Sequence, residues 1–143
     1  MPAWVDGKLM FFADSPPRRL MDLFSLKWSS MVLHALYHWP NQRARTGELQ
    51  RSLQGISKKM LFQTLKELEQ RGLIARHVYE VVPPKVDYRL TPLGMTFAAP
   101  IEQMYQWGLE HQAALDEMAA NYRAATGAPS DASCTSGPAP DAD

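Results

Sequence analysis

A single cysteine, Cys134, stands among the 143 residues, so no internal disulfide braces the chain and its core must come from apolar packing. Long apolar runs are missing as well, and nothing approaches the roughly 18 to 20 residues of a membrane helix. The start, Met1-Pro2-Ala3-Trp4-Val5-Asp6, lacks the charged segment and apolar stretch of a secretory leader. A cytoplasmic protein with no membrane partner is expected. There is no phosphate loop, no cofactor fingerprint and no nucleophile paired with a base, so neither catalysis nor a bound cofactor is expected. His34 and His38 share a helical face at i, i+4, but Ala35-Leu36-Tyr37 between them offers no carboxylate and no third ligand is indicated. No metal site is expected from them. Glu67 and Glu69 point to different sides of a helix and read as ion-pairing groups.

Net charge is also lacking, with Lys+Arg 15 against Asp+Glu 15, but the balance hides a division along the chain. From Asn41 to Thr91 the cations Arg43, Arg45, Arg51, Lys58, Lys59, Lys66, Arg71, Arg76, Lys85 and Arg89 outnumber the acids, leaving roughly +5. After Thr91 only Arg123 is basic, and seven acids leave roughly −6. A basic middle suits contact with phosphates.

What is present is helical periodicity. An arm over 1–14 has no clear period, and Ser15-Pro16-Pro17 then positions a proline to open a helix. Apolar residues at spacings of three and four predict helices over about 17–25 and 28–38, the second ended by Trp39-Pro40-Asn41. Thr46 reads as the N-cap of a short helix carrying Leu49 and Leu53 inward until Gly55. One tight turn later Ser57 caps a helix from Lys58 to about Arg71, with Leu61, Leu65 and Leu68 as its apolar stripe and Gly72 as its stop. Helix, short turn, helix is the helix-turn-helix arrangement. The period then becomes strand-like from Leu73 to Val82 and from Val86 to Leu90, predicting a hairpin whose tip holds Pro83-Pro84 and projects Lys85. Thr91-Pro92 opens a long helical region kinked at Pro100 and ending near Ala125. Residues 126–143, rich in Ala, Pro, Ser, Gly and Asp, have almost nothing to bury and read as a disordered acidic tail. One domain over 15–125 is therefore expected, mainly α with a small β-hairpin: a winged helix-turn-helix with flanking helices, to which the family resemblance described below gives the role of dimerisation helices.

On the Ser57-capped helix, a rotation of about 100° per residue puts Lys59, Gln63, Lys66 and Gln70 opposite the leucines, with Met60 and Phe62 flanking. Gln can bond adenine in bidentate fashion, Lys can reach guanine or phosphate, and Phe62 can touch a thymine methyl. A plain solvated face has the same composition, but the short helix before it and the basic hairpin after it favour a DNA-reading surface.

The runs Leu26-Lys27-Trp28, Gly55 to Leu61 and Leu65 to Arg76, the hairpin from Tyr79 to Gly94, and Trp107-Gly108 together resemble the HxlR-type helix-turn-helix family, from about Ser15 to about His111. The resemblance implies a dimeric winged-helix regulator of bacterial transcription that binds double-stranded DNA, with the Ser57 helix in the major groove. Its expected reading residues are Ser57, Lys58, Lys59, Met60, Phe62, Gln63, Lys66 and Gln70, supported by Arg43, Arg45, Thr46, Arg76, Lys85 and Arg89. Leu20, Leu23, Phe24, Ile101, Met104 and Trp107 exceed what a small core needs and are assigned to a homodimer interface. Many members of the family carry a redox-sensing cysteine thirteen residues before the tryptophan matched by Trp28. Here that position is Ser15, which cannot form a thiolate. Control by a small-molecule effector, a partner or dosage is expected instead, and Trp28, Trp39, Tyr105 and Trp107 are aromatic enough to line a ligand pocket, although core packing is their simpler role. The family's usual Arg-Phe before Glu-Leu is here Arg45-Thr46-Gly47-Glu48-Leu49, which keeps the cation and loses the aromatic. The competing function is a winged-helix interaction module that recruits a protein without reading DNA.

Overall fold

The computed structural model describes residues 3–127; Cys134 and nearly all of the expected acidic tail lie outside the described residues. The chain divides into two compact units after Met104, inside the domain expected over 15–125.

The first unit begins with a hairpin where an arm without period is expected. Strands β1, Ala3–Val5, and β2, Lys8–Met10, pair antiparallel with Val5 opposite Lys8. Asp6 and Gly7 join them with φ of 49° and 71°, the two positive values of a type I′ turn, for which Asp-Gly is a favoured pair. Helix α1, Pro16–Phe24, opens on its prolines, and α2, Lys27–His38, stops at Trp39-Pro40, because the residue before a proline leaves the helical region. A left-handed turn at Asn41 and Gln42 leads into strand β3, Arg43–Arg45.

Helix α3 spans Thr46–Ser52, with Arg45 rather than Thr46 in the capping position. The Glu48 carboxylate accepts from the Arg45 backbone N–H at 2.7 Å and supplies the negative charge that a helix start favours. Helix α4, Lys58–Gln70, starts as its sequence indicates, with the Met60 N–H donating to Ser57 Oγ at 3.0 Å. It ends before Gly72, whose φ of +74° suits glycine. Strands β4, Ile74–Tyr79, and β5, Lys85–Leu90, form the expected hairpin, and β3 adds to it in the antiparallel order β3-β5-β4.

Helix α5, Pro92–Glu110, begins at a tight junction. Thr91 Oγ1 donates to the Gly72 carbonyl at 2.6 Å and accepts from the Gly94 N–H at 3.0 Å. Gly94 is pressed so closely on the Leu73 backbone that a Cβ there would collide with its carbonyl oxygen. The helix is continuous through Pro100; the run breaks at His111, φ −117° and ψ 32°, before α6, Gln112–Thr126.

The core of the first unit gathers Val32, Leu33 and Leu36 of α2, Leu49 of α3, Leu61, Leu65 and Leu68 of α4, Ile74 of β4 and Ile101 of α5, all essentially inaccessible. At roughly 1.5 to 3 kcal/mol for each fully buried aliphatic side chain, this cluster outweighs the few tenths per residue of helix propensity. Packing therefore fixes the rotation of α4, and with it the face left outward. Among the described residues no helix is long and apolar enough to cross a membrane.

Candidate nucleic-acid interface

Burial of Leu61, Thr64, Leu65 and Leu68 turns Lys58, Lys59, Phe62, Gln63, Lys66 and Gln70 to solvent, with Met60 at the border of that face at 38% exposure. Ser57 is also exposed, its hydroxyl used by the cap. Gln63 Nε2 donates to Glu67 Oε1 at 3.3 Å, a contact loose enough to be exchanged. The expected reading face is thus a single surface of α4.

The three-stranded sheet supplies the second surface. Side chains alternate along a strand, and directly opposed residues share a face. Ala44, Tyr88 and Ile74 point to the core and are buried. The opposite face carries Arg43 across from Arg89, Arg45 and His77 on either side of Asp87, and Tyr79 across from Lys85. Arg43, Arg45 and Lys85 are exposed on that face; Arg76, directly opposite Tyr88, is exposed on the other face, and Thr46 is half-buried at the start of α3.

Arg89 departs from the expectation of a free phosphate-binding cation. Its Nε lies 3.2 Å from Asp87 Oδ1, and its Nη2 donates to Tyr79 Oη at 2.9 Å, while Tyr79 Oη donates to Asp87 Oδ2 at 2.6 Å. Burial pushes the Asp87 carboxyl upward, but the hydrogen bonds from Tyr79 and Arg89, with the charges of Arg89 and His77, outweigh it and hold the group below the usual carboxylate range. The Arg89 guanidinium is raised, chiefly by its hydrogen bond to Asp87. Arg89 therefore braces the wing, because an acidic side chain only 7% exposed needs its counter-ion. Asp87 two residues before Arg89 is the signal available in the sequence, since i and i+2 lie on one strand face.

The residues assigned to a dimer interface also divide. Leu23 and Ile101 are 5% and 1% exposed within the chain itself, so they belong to its own core and are corrected out of the interface. Leu20 and Phe24 are half-buried, and Met104 and Trp107 are each 52% exposed. In the second unit, Leu109, Leu115, Met118 and Tyr122 are exposed too, and α6 has no buried residue. Trp107 stacks on His111, with ring centroids 4.1 Å apart.

The sequence indicates no third donor beside His34 and His38, yet in the fold one carboxylate meets both rings. Glu102, near the end of the first unit on α5, places Oε1 2.5 Å from His34 Nδ1 and Oε2 2.7 Å from His38 Nε2. The contact joins positions 64 and 68 residues apart in sequence, which no local spacing reveals.

The HxlR-like helix-turn-helix family profile matches residues 23–116. The chain belongs to that family. The HTH-type transcriptional regulator YkvN of Bacillus subtilis is 45% identical over 82 residues, covering 57% of this chain and 67% of YkvN. A MarR-family transcriptional regulator from Porphyromonas gingivalis W83 is similar in structure with a TM-score of 0.65 and 36% identity, over 71% of this chain and 97% of that one. The redox regulator HypR in its reduced form matches with a TM-score of 0.64 and 35% identity, over 72% of this chain and 99% of HypR. This HxlR-like chain is a winged helix-turn-helix, DNA-binding transcription regulator. Ser15, half-buried at the N-cap position of α1, makes no side-chain capping bond.

Proposed function

We propose that this HxlR-like regulator binds an inverted-repeat operator as a homodimer, with α4 in the major groove and the wing along the phosphates. The observation that carries the reading is the outward face of α4, where neutral Gln63 and Gln70 alternate with Lys59 and Lys66 against a fully buried leucine stripe. Glutamine amides suit base edges, and cations on the helix and at Lys85, Arg43, Arg45 and Arg76 suit the backbone. Met60 and Phe62 provide apolar contact for thymine methyls. The dimer rests on Met104, Trp107, Leu109, Leu115, Met118 and Tyr122, an exposed apolar set too extensive to suit a free helical surface. Loss of the family's cysteine at Ser15 favours control by a small-molecule effector, a partner or dosage over thiol sensing.

Fluorescence anisotropy across a salt series tests the assignment. Gln63→Ala should cost about 1 to 3 kcal/mol on the cognate duplex and little on a scrambled one. Lys85→Ala should weaken both alike and reduce the slope of log affinity against log salt by about 1. Equal loss on both duplexes for Gln63→Ala removes α4 from base reading. Sedimentation equilibrium tests the dimer: a wild-type monomer at micromolar concentration, or a dimer indifferent to Trp107→Asp, counts against it.

A further inference from the structure

We infer that His34, His38 and Glu102 form a binding site for one divalent transition-metal ion of the Zn²⁺ class. The three side chains converge from two elements of the same unit: both imidazoles rise from one face of α2, and the carboxylate comes from α5. Their donor atoms, one nitrogen from each ring and a carboxylate oxygen, lie within 4.8 Å of one another. Donors around a tetrahedral Zn²⁺ at about 2.0 to 2.1 Å sit about 3.4 Å apart. The carboxylate oxygens must therefore back away from the nitrogens they touch by about an ångström, while the widest donor pair, no more than 4.8 Å apart, closes by at most about 1.4 Å. His38, whose side chain is 57% exposed, is the least confined of the three.

Two histidines and one carboxylate are a borderline nitrogen and oxygen set, suited to Zn²⁺, Co²⁺ or Ni²⁺ and poorly suited to Mg²⁺ or Ca²⁺, which take oxygen. Neutral imidazoles and one carboxylate leave a divalent ion with a net positive charge and an open position for water or an anion. Partial exposure of all three side chains, 25% for His34 and 27% for Glu102, provides the entry path. Without metal, the same carboxylate accepts one hydrogen bond from each ring, which keeps the donors together before the ion arrives; on binding, the proton on each facing nitrogen moves to the other ring nitrogen or leaves to solvent, freeing the coordinating lone pair. Occupancy would tie α5 to α2, the helix that packs against α4.

The test uses untagged full-length protein stripped with a chelator and titrated with Co²⁺, whose d–d absorption reports nitrogen and oxygen ligation at low coordination number, followed by Zn²⁺ competition. One Co²⁺ per chain at micromolar concentration is expected, displaced by Zn²⁺. At least tenfold weaker binding is expected in both His38→Ala and Glu102→Gln, with no change in His111→Ala. Circular dichroism identifies any variant that fails to fold, and the other then decides. A thermal midpoint that rises with Zn²⁺ in the wild type but not in the folded variants gives a second readout. Absence of Co²⁺ binding at micromolar concentration, or equal binding by the wild type and a folded His38→Ala or Glu102→Gln, overturns the site. The measurement needs no DNA, so its failure leaves the DNA-binding reading untouched.

Discussion

Replacing Asp87 by asparagine removes the charge at the centre of the wing while preserving shape. The Asp87 side chain is 7% exposed and accepts from Tyr79 Oη at 2.6 Å and from Arg89 Nε at 3.2 Å. A hydrogen bond to a charged group contributes about 1.5 to 3 kcal/mol. The Tyr79 bond is short and sheltered, whereas the Arg89 contact is long and its side chain is 38% exposed, so solvent screening leaves it a smaller share. The amide introduced by Asp87→Asn can accept one of these bonds, but its NH₂ then faces the donor-only Arg89 or forces the Tyr79 hydroxyl to turn from donor to acceptor, and the charge is lost either way. The expected loss is about 2 to 3 kcal/mol at neutral pH, or roughly 8 to 20 °C in Tm for a domain of this size. The pH dependence follows from the lowered carboxyl. Because its folded value lies below its unfolded value, the stabilisation is fully present above the ordinary carboxylate range and disappears as pH falls through the folded value. The wild-type advantage should be flat from about pH 7 to pH 5 and shrink below about pH 4. Urea unfolding at fixed chain concentration, repeated across that range, measures it, concentration being held because the proposed dimer would add to apparent stability. A gap under about 0.5 kcal/mol at pH 7, or one that persists undiminished in acid, would refute the reasoning.

Gly94→Ala should destabilise by about 2 to 4 kcal/mol by driving α5 off the Leu73 carbonyl and Leu90. Gly108→Ala, with nothing within 4 Å of its Cβ among the described residues beyond its own helix, should stabilise by about 0.5 to 1 kcal/mol; calorimetry compares them, and a loss at Gly108 would place a second chain there. Ser57→Ala should cost about 1 kcal/mol by removing the acceptor for the Met60 N–H, and chemical denaturation showing no loss would argue that the cap is replaced by water. Hydrogen peroxide should leave DNA affinity unchanged, since Ser15 carries no thiol; a release that disappears in Cys134→Ser would defeat this expectation.

Legibility follows the length and strength of local patterns. α4 is readable to within a residue because Ser57, three leucines and Gly72 each mark a different feature of one helix: cap, buried face and stop. The β4-β5 hairpin is readable from its alternation and proline tip. β3, three residues long, holds only Ala44 inward, too short a stretch to show any period. It exists because β5 offers an edge for pairing, which is a property of the fold. The β1-β2 hairpin is different. Asp6-Gly7 is a local signal between apolar residues, but a weak one, because each strand has only three residues and largely exposed side chains.

The candidate site shows the same limit at the level of single side chains. Which face of α4 lies outward follows from the leucines, so Lys59, Gln63, Lys66 and Gln70 can be grouped without coordinates. Whether a cation is free depends on what stands beside it, and that is tertiary. Lys85 and Arg89 look alike as wing cations, yet β5 gives Arg89 a buried carboxylate and leaves Lys85 exposed at the hairpin's end. A charge already neutralised by a sheltered partner adds little to counterion release, because phosphate must compete with that partner. Lys85 is therefore the residue by which wing contact with the backbone is to be judged, and Arg89 the one by which wing rigidity is to be judged. Sequence spacing alone would have treated them as equivalent.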